Sequence, residues 1–380
     1  MSKIAIIGDV IIDRYILGTS ERLSPEAPIP IVKHKTTFDS SGGAGNLYEN
    51  LKSLGVDVEL LDFSNPKCIK TRVFSDGHYV TRIDEDFRTD GDATLAAIKD
   101  IDFSQYNYVV LSDYDKGVLD CSKQIIKHIN KFGCKIIVDP KQPADYYEGA
   151  WLVKPNMIEN TKYGFSSWPT NWIVTDSKNP IRARIDKVMY TVQPEQVEVN
   201  DVTGAGDCFL AAFVYALTKG YDYAKCLKLA AKGATESVKR TGTYVLTIND
   251  IEETVVFTNG CFDILHPGHL ELLAEARSRG DRLIVGLNSD ASVKRLKGKD
   301  RPINNESIRA RQLYALPWVN EVIVFDEDTP LELIKRLKPN LIVKGGDYTI
   351  EQIVGHEFAE VYIVPTVEGY STSKIIELLK

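Results

Sequence analysis

The chain has 380 residues, of which 43% are hydrophobic and 26% charged, and carries a formal net charge of -7. That length exceeds one ordinary core and points to two domains, and an acidic balance without a long Lys/Arg run argues against nucleic acid or an anionic membrane surface as the main partner. No apolar stretch approaches a membrane span, the start "MSKIAIIGDV" runs straight into a strand pattern, and six scattered cysteines without a C-x-x-C pair fit free thiols in a reducing cytoplasm.

Taken in chain order, short β-branched runs alternate with amphipathic stretches. Strands are predicted at 3–9, 108–113, 135–140, 151–156 and 171–176, and helices at 44–54, 92–100, 120–132 and 205–219. This alternation predicts an α/β protein with a mainly parallel sheet. "RLSPEAPIPIVKHKTTFDSSGG" is Pro-rich, then extended, and suits a small β flap outside that sheet. "TRVFSDGHYVTRID" (71–84) reads as a hairpin with Asp76-Gly77 at its turn. After a short linker around 246–252, which should keep the two halves close, the alternation restarts. A strand is predicted at 253–260, a helix at 268–279 stopped by Gly280, and strands at 282–288, 321–325, 341–344 and 361–364. The expected domains are 1–246 and 253–380.

"NDVTGAGDCF" places Gly204, Ala205 and Gly206 at the start of a helix. Small residues let backbone N–H groups approach an anion, and the helix N-terminus favours negative charge there. Asp207, just inside the helix, is suited to take a proton from an attacking hydroxyl. The combination suits phosphoryl transfer to an alcohol; on these residues alone, a helix start with an acidic first turn is an equal reading.

"GDVIIDRY", "SGGAGN", "KPNMIEN" and "DVTGAGD" occur in an order that resembles the ribokinase-type (PfkB) sugar kinases. The resemblance implies that Asp13, Gly42, Gly43 and Asn46 bind the sugar. It implies that Asn156 and Glu159 serve phosphates and, indirectly, Mg²⁺, that Gly204, Ala205 and Gly206 hold the nucleotide's phosphates, and that Asp207 is the base. "GDVIIDRYILGTSERLSPEAPIPIVK", "LSDYDKGVL" and "VDPK" resemble the heptose 7-phosphate kinases in particular. A 7-phosphate needs cations, for which Arg72, Arg82, Lys116 and Lys141 are the candidates. Two departures stand out. Only "LLDFSNPKCIKTRV" joins the helix at 44–54 to the hairpin, where the family has a further α/β segment. The family's Gly-containing nucleotide loop is replaced by "VTDSKNPIRAR".

"FTNGCFDILHPGHLELL" carries His266 and His269 three apart, with Pro267 and Gly268 between them. A zinc protease helix spaces its histidines by four with a glutamate beside the first, so a catalytic metal site does not fit. Pro opens helices readily, so both imidazoles lie at a positive helix end, where polyphosphate binds and the charge on leaving pyrophosphate can be stabilised. The pattern resembles the cytidylyl- and adenylyltransferase superfamily, with a Rossmann-like domain. The resemblance implies nucleotide or phosphate contacts from Thr258, Asn259, Gly260, Phe262 and Asp263, then Lys294, Arg295, Lys297 and Arg301. It extends these to Lys344, Gly345 and Asp347 of "VKGGDY", and to Ser371, Thr372 and Ser373, which also read as a helix N-cap.

A ribokinase-like half followed by an H-x-G-H half resembles the bifunctional enzymes of ADP-heptose synthesis, which use ATP and Mg²⁺ and feed lipopolysaccharide. The resemblance implies a cytoplasmic enzyme acting on small sugar phosphates, as a homodimer, with no nucleic-acid or membrane partner. Three alternatives stand at this stage. The shortened first half is a dimerisation module and only the transferase works; the transferase uses another alcohol phosphate or CTP; or the chain is a nucleotide-sensing subunit without turnover.

Overall fold

The computed structural model describes residues 2–346 and 348–365. The chain divides into two compact units, one ending at Ile251 and one beginning at Glu252. The segment read as a linker belongs to the first unit up to Ile251: Leu246 and Ile251 are buried in its core. Asp250 secures the turn by accepting from the Thr247 amide at 2.6 Å and from the Tyr244 hydroxyl at 2.8 Å. Apolar side chains at 246 and 251 gain more from burial than a polar spacer would.

The first unit runs β1 (Lys3–Gly8), β2 (Val10–Thr19), β3 (Lys33–Gly43), α1 (Ala44–Ser53), β4 (Asp57–Leu61), β5 (Cys68–Ser75), β6 (His78–Glu85), α2 (Gly91–Lys99), β7 (Tyr108–Ser112), α3 (Ser122–Ile129), β8 (Lys135–Asp139), β9 (Leu152–Val153), α4 (Met157–Tyr163), β10 (Asn171–Val174), β11 (Ile181–Ile185), β12 (Val188–Val192), α5 (Ala205–Thr218), α6 (Tyr223–Val238) and the one-turn α7 (Ile248–Ile251). Its main sheet has the order β12-β11-β10-β9-β8-β7-β1-β4. The pairs from β4 to β10 are parallel, and β11 and β12 add an antiparallel margin. That margin, like α6, has no counterpart among the sequence-predicted elements. One apolar cluster packs α1, α5 and α6 on one face of this sheet and a second packs α3 on the other.

The flap is a four-stranded sheet, β3-β2-β5-β6. Its extended segment begins only at Lys33, and the Pro-rich stretch before it stays irregular. The strand β2, ten residues long, was not foreseen. In the hairpin, Asp76 and Gly77 both take positive φ, 51° and 80°, as a two-residue turn matched to strand twist requires. The predicted strand at 151–156 shrinks to two residues, because Asn156 already caps α4. The predicted helix 120–132 ends as α at Ile129 and closes through a 3-10 turn to Gly133. From α1 the chain passes through β4 directly to β5, and β4 is the last strand of the main sheet.

The second unit runs β13 (Val255–Gly260), α8 (Pro267–Ser278), β14 (Arg282–Asn288), α9 (Asp290–Lys297), α10 (Glu306–Tyr314), β15 (Glu321–Phe325), α11 (Leu331–Leu337), β16 (Leu341–Gly345) and β17 (Glu360–Val364). All five strands are parallel, in the order β15-β14-β13-β16-β17. The apolar runs of β13, β14 and β16 are buried on both faces, as the inner strands of a parallel sheet covered by helices must be, while β15 and β17 at the margins are only partly buried. The chain winds outward from β13 in one direction and then the other, so the two sides part at β13 and β16.

Candidate active sites

In open α/β sheets a crevice forms beyond the carboxyl ends of the strands where winding reverses. In the first unit that place lies beside β1, whose neighbours are β4 and β7. Asp9 follows β1, is buried, and accepts from the amides of Tyr114 at 2.8 Å and of Lys116 and Val118 at 3.1 Å. It shapes the turn after β7. Asp113 in that turn accepts from the Asp115 amide at 2.7 Å and from the Tyr147 hydroxyl. Burial lifts its carboxyl to about 6.

The turn delivers the Tyr114 hydroxyl to Asp207 Oδ1 at 2.6 Å, while Asn46 Nδ2 donates to Asp207 Oδ2 at 2.8 Å. Asp207 stands in the first turn of α5 and is buried. Burial pushes its carboxyl up to about 6, against the lowering effect of the two donors. Gly204 has φ 76°, and a Cβ there would lie 2.8 Å from Asn46 Nδ2, so backbone conformation and space both call for glycine. Behind this loop Lys154, buried, pairs with Asp139 at 2.8 Å.

A cleft of about 840 Å³ opens here, a size suited to a small-molecule ligand. Its polar lining includes Lys141, Lys154, Asn156, Glu159 and the Gly204–Asp207 turn, and its apolar lining includes Val199, Val202, Ala231 and Val238. Asn156 and Glu159 form a reciprocal capping box at the start of α4, with bonds of 2.8 and 2.9 Å, and Glu159 also pairs with Lys141. The segment 175–179, which lacks glycine, still lines the cleft. Ser177 there takes the positive φ, 45°, that a glycine would adopt without strain.

The expected sugar residues fall into two adjoining groups. Asn46 joins Asp207 and Gly204, as described. Asp13 on β2 is buried, and a Cβ on Gly42 would lie 2.4 Å from its Oδ2; Gly43 leads into α1. Each expected 7-phosphate cation has a carboxylate partner. Arg72 pairs with Asp13 at 2.5 Å, Arg82 with Asp84 at 2.7 Å, Lys116 with Asp86 at 2.7 Å, and Lys141 with Glu159. Arg72 and Arg82 are direct cross-strand neighbours, an unfavourable placement for like charges that the two aspartates offset. Tyr114, Asp139 and Lys154 were not singled out in the sequence. All three sit in the quoted motifs "LSDYDKGVL", "VDPK" and "KPNMIEN", which were the available signal.

In the second unit, β13 pairs with β14 through to Gly260, but with β16 only as far as Phe257. The ends of β13 and β16 therefore splay. Across the gap Lys344 donates to the Asn259 carbonyl at 3.0 Å, and burial lowers its ammonium to about 8. Among the described residues Thr258 Oγ1 and Asn259 Oδ1 are buried there with no hydrogen-bond partner. His266 is the N-cap residue of α8 and Pro267 opens the helix. The two imidazoles stack with centroids 3.8 Å apart, and Phe262 lies 5.1 Å from His269. Burial, with His266 adding to it, lowers His269 to about 4, and burial lowers His266 as well, so both rings are neutral at pH 7. Among the described residues both Nδ1 atoms are buried with no hydrogen-bond partner.

Phe262 has φ 43°, a strained conformation of the kind that collects at functional sites. Asp263 after it accepts from Arg301 at 2.7 Å and from the amides of Ile303 and Asn304 at 2.9 Å. Burial alone would raise its carboxyl, yet these donors hold it below the usual range. Arg301 is thus fixed beside the histidine loop. Arg295 turns instead to Asp328 at 2.8 Å, and Lys294 and Lys297 are exposed on α9. Gly345 ends β16. Asp347, Ser371, Thr372 and Ser373 lie outside the described residues. Arg309, unforeseen, is fully buried and ties this loop to α9. Among the described residues no helix is long and apolar enough to cross a membrane.

Comparison with known proteins matches both halves. The pfkB carbohydrate kinase family fits residues 82–249, and the cytidylyltransferase-like family fits residues 257–378. The bifunctional protein HldE of a Nitratiruptor species is 35% identical over 460 aligned positions, covering all of this chain and 99% of the relative. The chain belongs to the bifunctional HldE family. HldE of Campylobacter jejuni subsp. jejuni serotype O:6 is 37% identical over 453 positions, with all of this chain and 97% of the relative covered. The 460 positions against Nitratiruptor exceed the chain's 380 residues by 80, so this family member is a shortened one. Among solved structures, ribokinase from Thermotoga maritima gives a TM-score of 0.50 at 16% identity, over 66% of this chain and 98% of that one. Phosphofructokinase-2 from Escherichia coli gives 0.52 at 15%, over 66% and 96%. These establish the ribokinase-like fold of the first unit. The chain is thus a sugar-kinase-type and nucleotidyltransferase-type enzyme in one polypeptide.

Proposed function

We propose that the chain carries out two steps of ADP-heptose synthesis. In the first unit, the C1 hydroxyl of D-glycero-β-D-manno-heptose 7-phosphate attacks the γ-phosphorus of ATP. Asp207 takes the hydroxyl proton and ADP leaves. The observation that carries this reading is the buried Asp207 at the N-terminus of α5, on the cleft and bonded to Asn46 and Tyr114. In the second unit, after a separate phosphatase has removed the 7-phosphate, an oxygen of heptose 1-phosphate attacks the α-phosphorus of ATP and pyrophosphate leaves. Neutral His266 and His269 donate to the phosphates through a ring N–H, with Lys344 and Arg301 as the nearby cations.

Mg²⁺ fits the kinase cleft as a companion of the nucleotide. Among the described residues no three His, Cys, Asp or Glu side chains converge as a cage, and this ion commonly keeps its waters and leans on one or two carboxylates plus phosphates. Asn156 and Glu159 would hold it through water, and it would neutralise charge on the phosphates. We also take the chain to act as a cytoplasmic homodimer.

The test is mass spectrometry of products from heptose 7-phosphate, ATP and Mg²⁺, with and without a sugar phosphatase. Heptose 1,7-bisphosphate is expected without the phosphatase and ADP-heptose only with it. Absence of the bisphosphate in both arms would refute the kinase reading. Pyrophosphate release from heptose 1-phosphate with CTP but not ATP would refute the adenylyl assignment.

A further inference from the structure

Asp207 has two oxygens, and both are occupied. Oδ1 accepts from the Tyr114 hydroxyl at 2.6 Å and Oδ2 accepts from Asn46 at 2.8 Å. The two donors differ in how they are held. Asn46 sits on α1 just after Gly42 and Gly43, and its Oδ1 accepts from Asn50 at 3.1 Å. Its amide faces the side from which the sugar arrives in the kinase reading. Tyr114 is fixed from behind. Its amide donates to buried Asp9. The residues around it are tied to the segment after β8: Asp113 accepts from the Tyr147 hydroxyl, which itself accepts from the amides of Lys141 at 3.0 Å and Gln142 at 2.9 Å. Gln142 Nε2 donates back to Asp115 Oδ1 at 2.6 Å. Burial and the nearby Asp207 raise the Tyr114 phenol well above its ordinary value, so it stays a proton donor to the carboxylate.

We infer that Tyr114 is the positioning residue of the kinase base: it locks Asp207 through Oδ1 and leaves Oδ2 as the atom that accepts the sugar's proton. This inference rests on the kinase reading above. When the sugar binds, its attacking hydroxyl replaces the Asn46 amide at Oδ2. The O–H bond breaks toward Oδ2 as the sugar oxygen bonds to the γ-phosphorus and ADP departs. Tyr114 keeps its bond to Oδ1 throughout and neither gains nor loses a proton. A phenol donating to a carboxylate stabilises the charged form, so Tyr114 also counters the burial that pushes Asp207 upward.

Tyr114→Phe removes one oxygen and keeps the ring. The experiment measures heptose-dependent ADP release by the full chain from pH 5 to 9, together with KM for both substrates and a thermal melt. Wild type is expected to lose activity as the pH falls through about 6. In Tyr114→Phe this acid limb moves up by about one pH unit, so kcat at pH 7 falls by about twofold and at pH 6 by about fivefold, while both KM values and the melt stay close to wild type. An unmoved acid limb in a variant with normal melting overturns the inference while leaving the kinase reading intact. A fall in kcat at every pH without a shifted limb also overturns it. Wild type without heptose-dependent ADP release overturns the kinase reading, and the inference with it.

Discussion

The fully buried guanidinium of Arg309 donates to the main-chain oxygen of Cys261 at 2.6 Å, to that of Asn304 at 3.0 Å, and to Asp290 Oδ1 at 2.7 Å. One side chain on α10 thereby fixes the loop before the histidines, the segment after Arg301 and the first turn of α9. A planar fork with several donors suits three differently placed acceptors, where a lysine ammonium would not. Arg309→Met should destabilise the second unit by about 2–4 kcal/mol, less than for a wholly buried pair because Asp290 is partly exposed. Differential scanning calorimetry of the full chain should show the loss, and pyrophosphate release should fall with ADP release by the first unit unchanged.

Asp207→Asn should abolish heptose-dependent ADP release, by roughly a hundredfold to ten-thousandfold as for loss of a general base. Pyrophosphate release from heptose 1-phosphate should persist, because His266, His269 and Lys344 belong to the other unit. A parallel loss of both activities in a well-folded variant would refute the division of labour.

His269 offers a test of charge. Its folded-state pKa, about 4, lies below its ordinary 6.5. The unfolded chain therefore takes up a proton first as the pH falls. The stability this group contributes is present above about 6.5 and is lost as the pH drops toward 4. Its ring signals in a proton NMR titration, assigned with His269→Gln, should stay in the neutral form down to about pH 5. Replacing His269 by Ala should cut adenylyl transfer by about a hundredfold to a thousandfold, as for loss of a donor to a developing oxyanion.

Lys344 bridges the splayed ends of β13 and β16, and burial brings its ammonium down to about 8. The cationic form should be needed for the polyphosphate. The kcat/KM for ATP in pyrophosphate release should then decline as the pH rises through about 8, since that ratio reports the free enzyme. In Lys344→Arg, whose charge persists, this basic limb should move upward even though the shape of the side chain is less suitable.

Much of the architecture could be read directly. The strands 282–288 and 321–325 of the second unit carry dense β-branched runs bounded by Gly and Asn, and their limits agree with the structure. The hairpin turn at Asp76-Gly77 is a local signal, and the structure forms it there. The strand β2 was not foreseen. It starts two residues after β1 ends, so "GDVIIDRY" looked like a single motif rather than two strands in different sheets. In the margin, β11 alternates apolar residues with Arg182 and Arg184 over only five residues and β12 is a short run of five, so neither stood out as a strand of the main sheet. The 246–252 segment looked polar enough for a linker, and only its contacts show Leu246 and Ile251 filling the first core.

By itself the sequence marked two candidate phosphate sites in one chain, because each pattern is local: glycines and a carboxylate, or two histidines, at the first turn of a helix, within a dozen residues. The resemblance to two enzyme families, rather than these residues alone, set that reading above a plain helix start. Tertiary structure alone decided which groups surround them. Tyr114 meets Asp207 across 93 positions, and Arg309 meets Cys261 across 48. The cations expected for a second phosphate turned out to be paired with aspartates and a glutamate. Hydrogen bonds and ion pairs act over a few ångströms, so partners far apart in the chain become visible only after the sheets have brought the loops at their ends together.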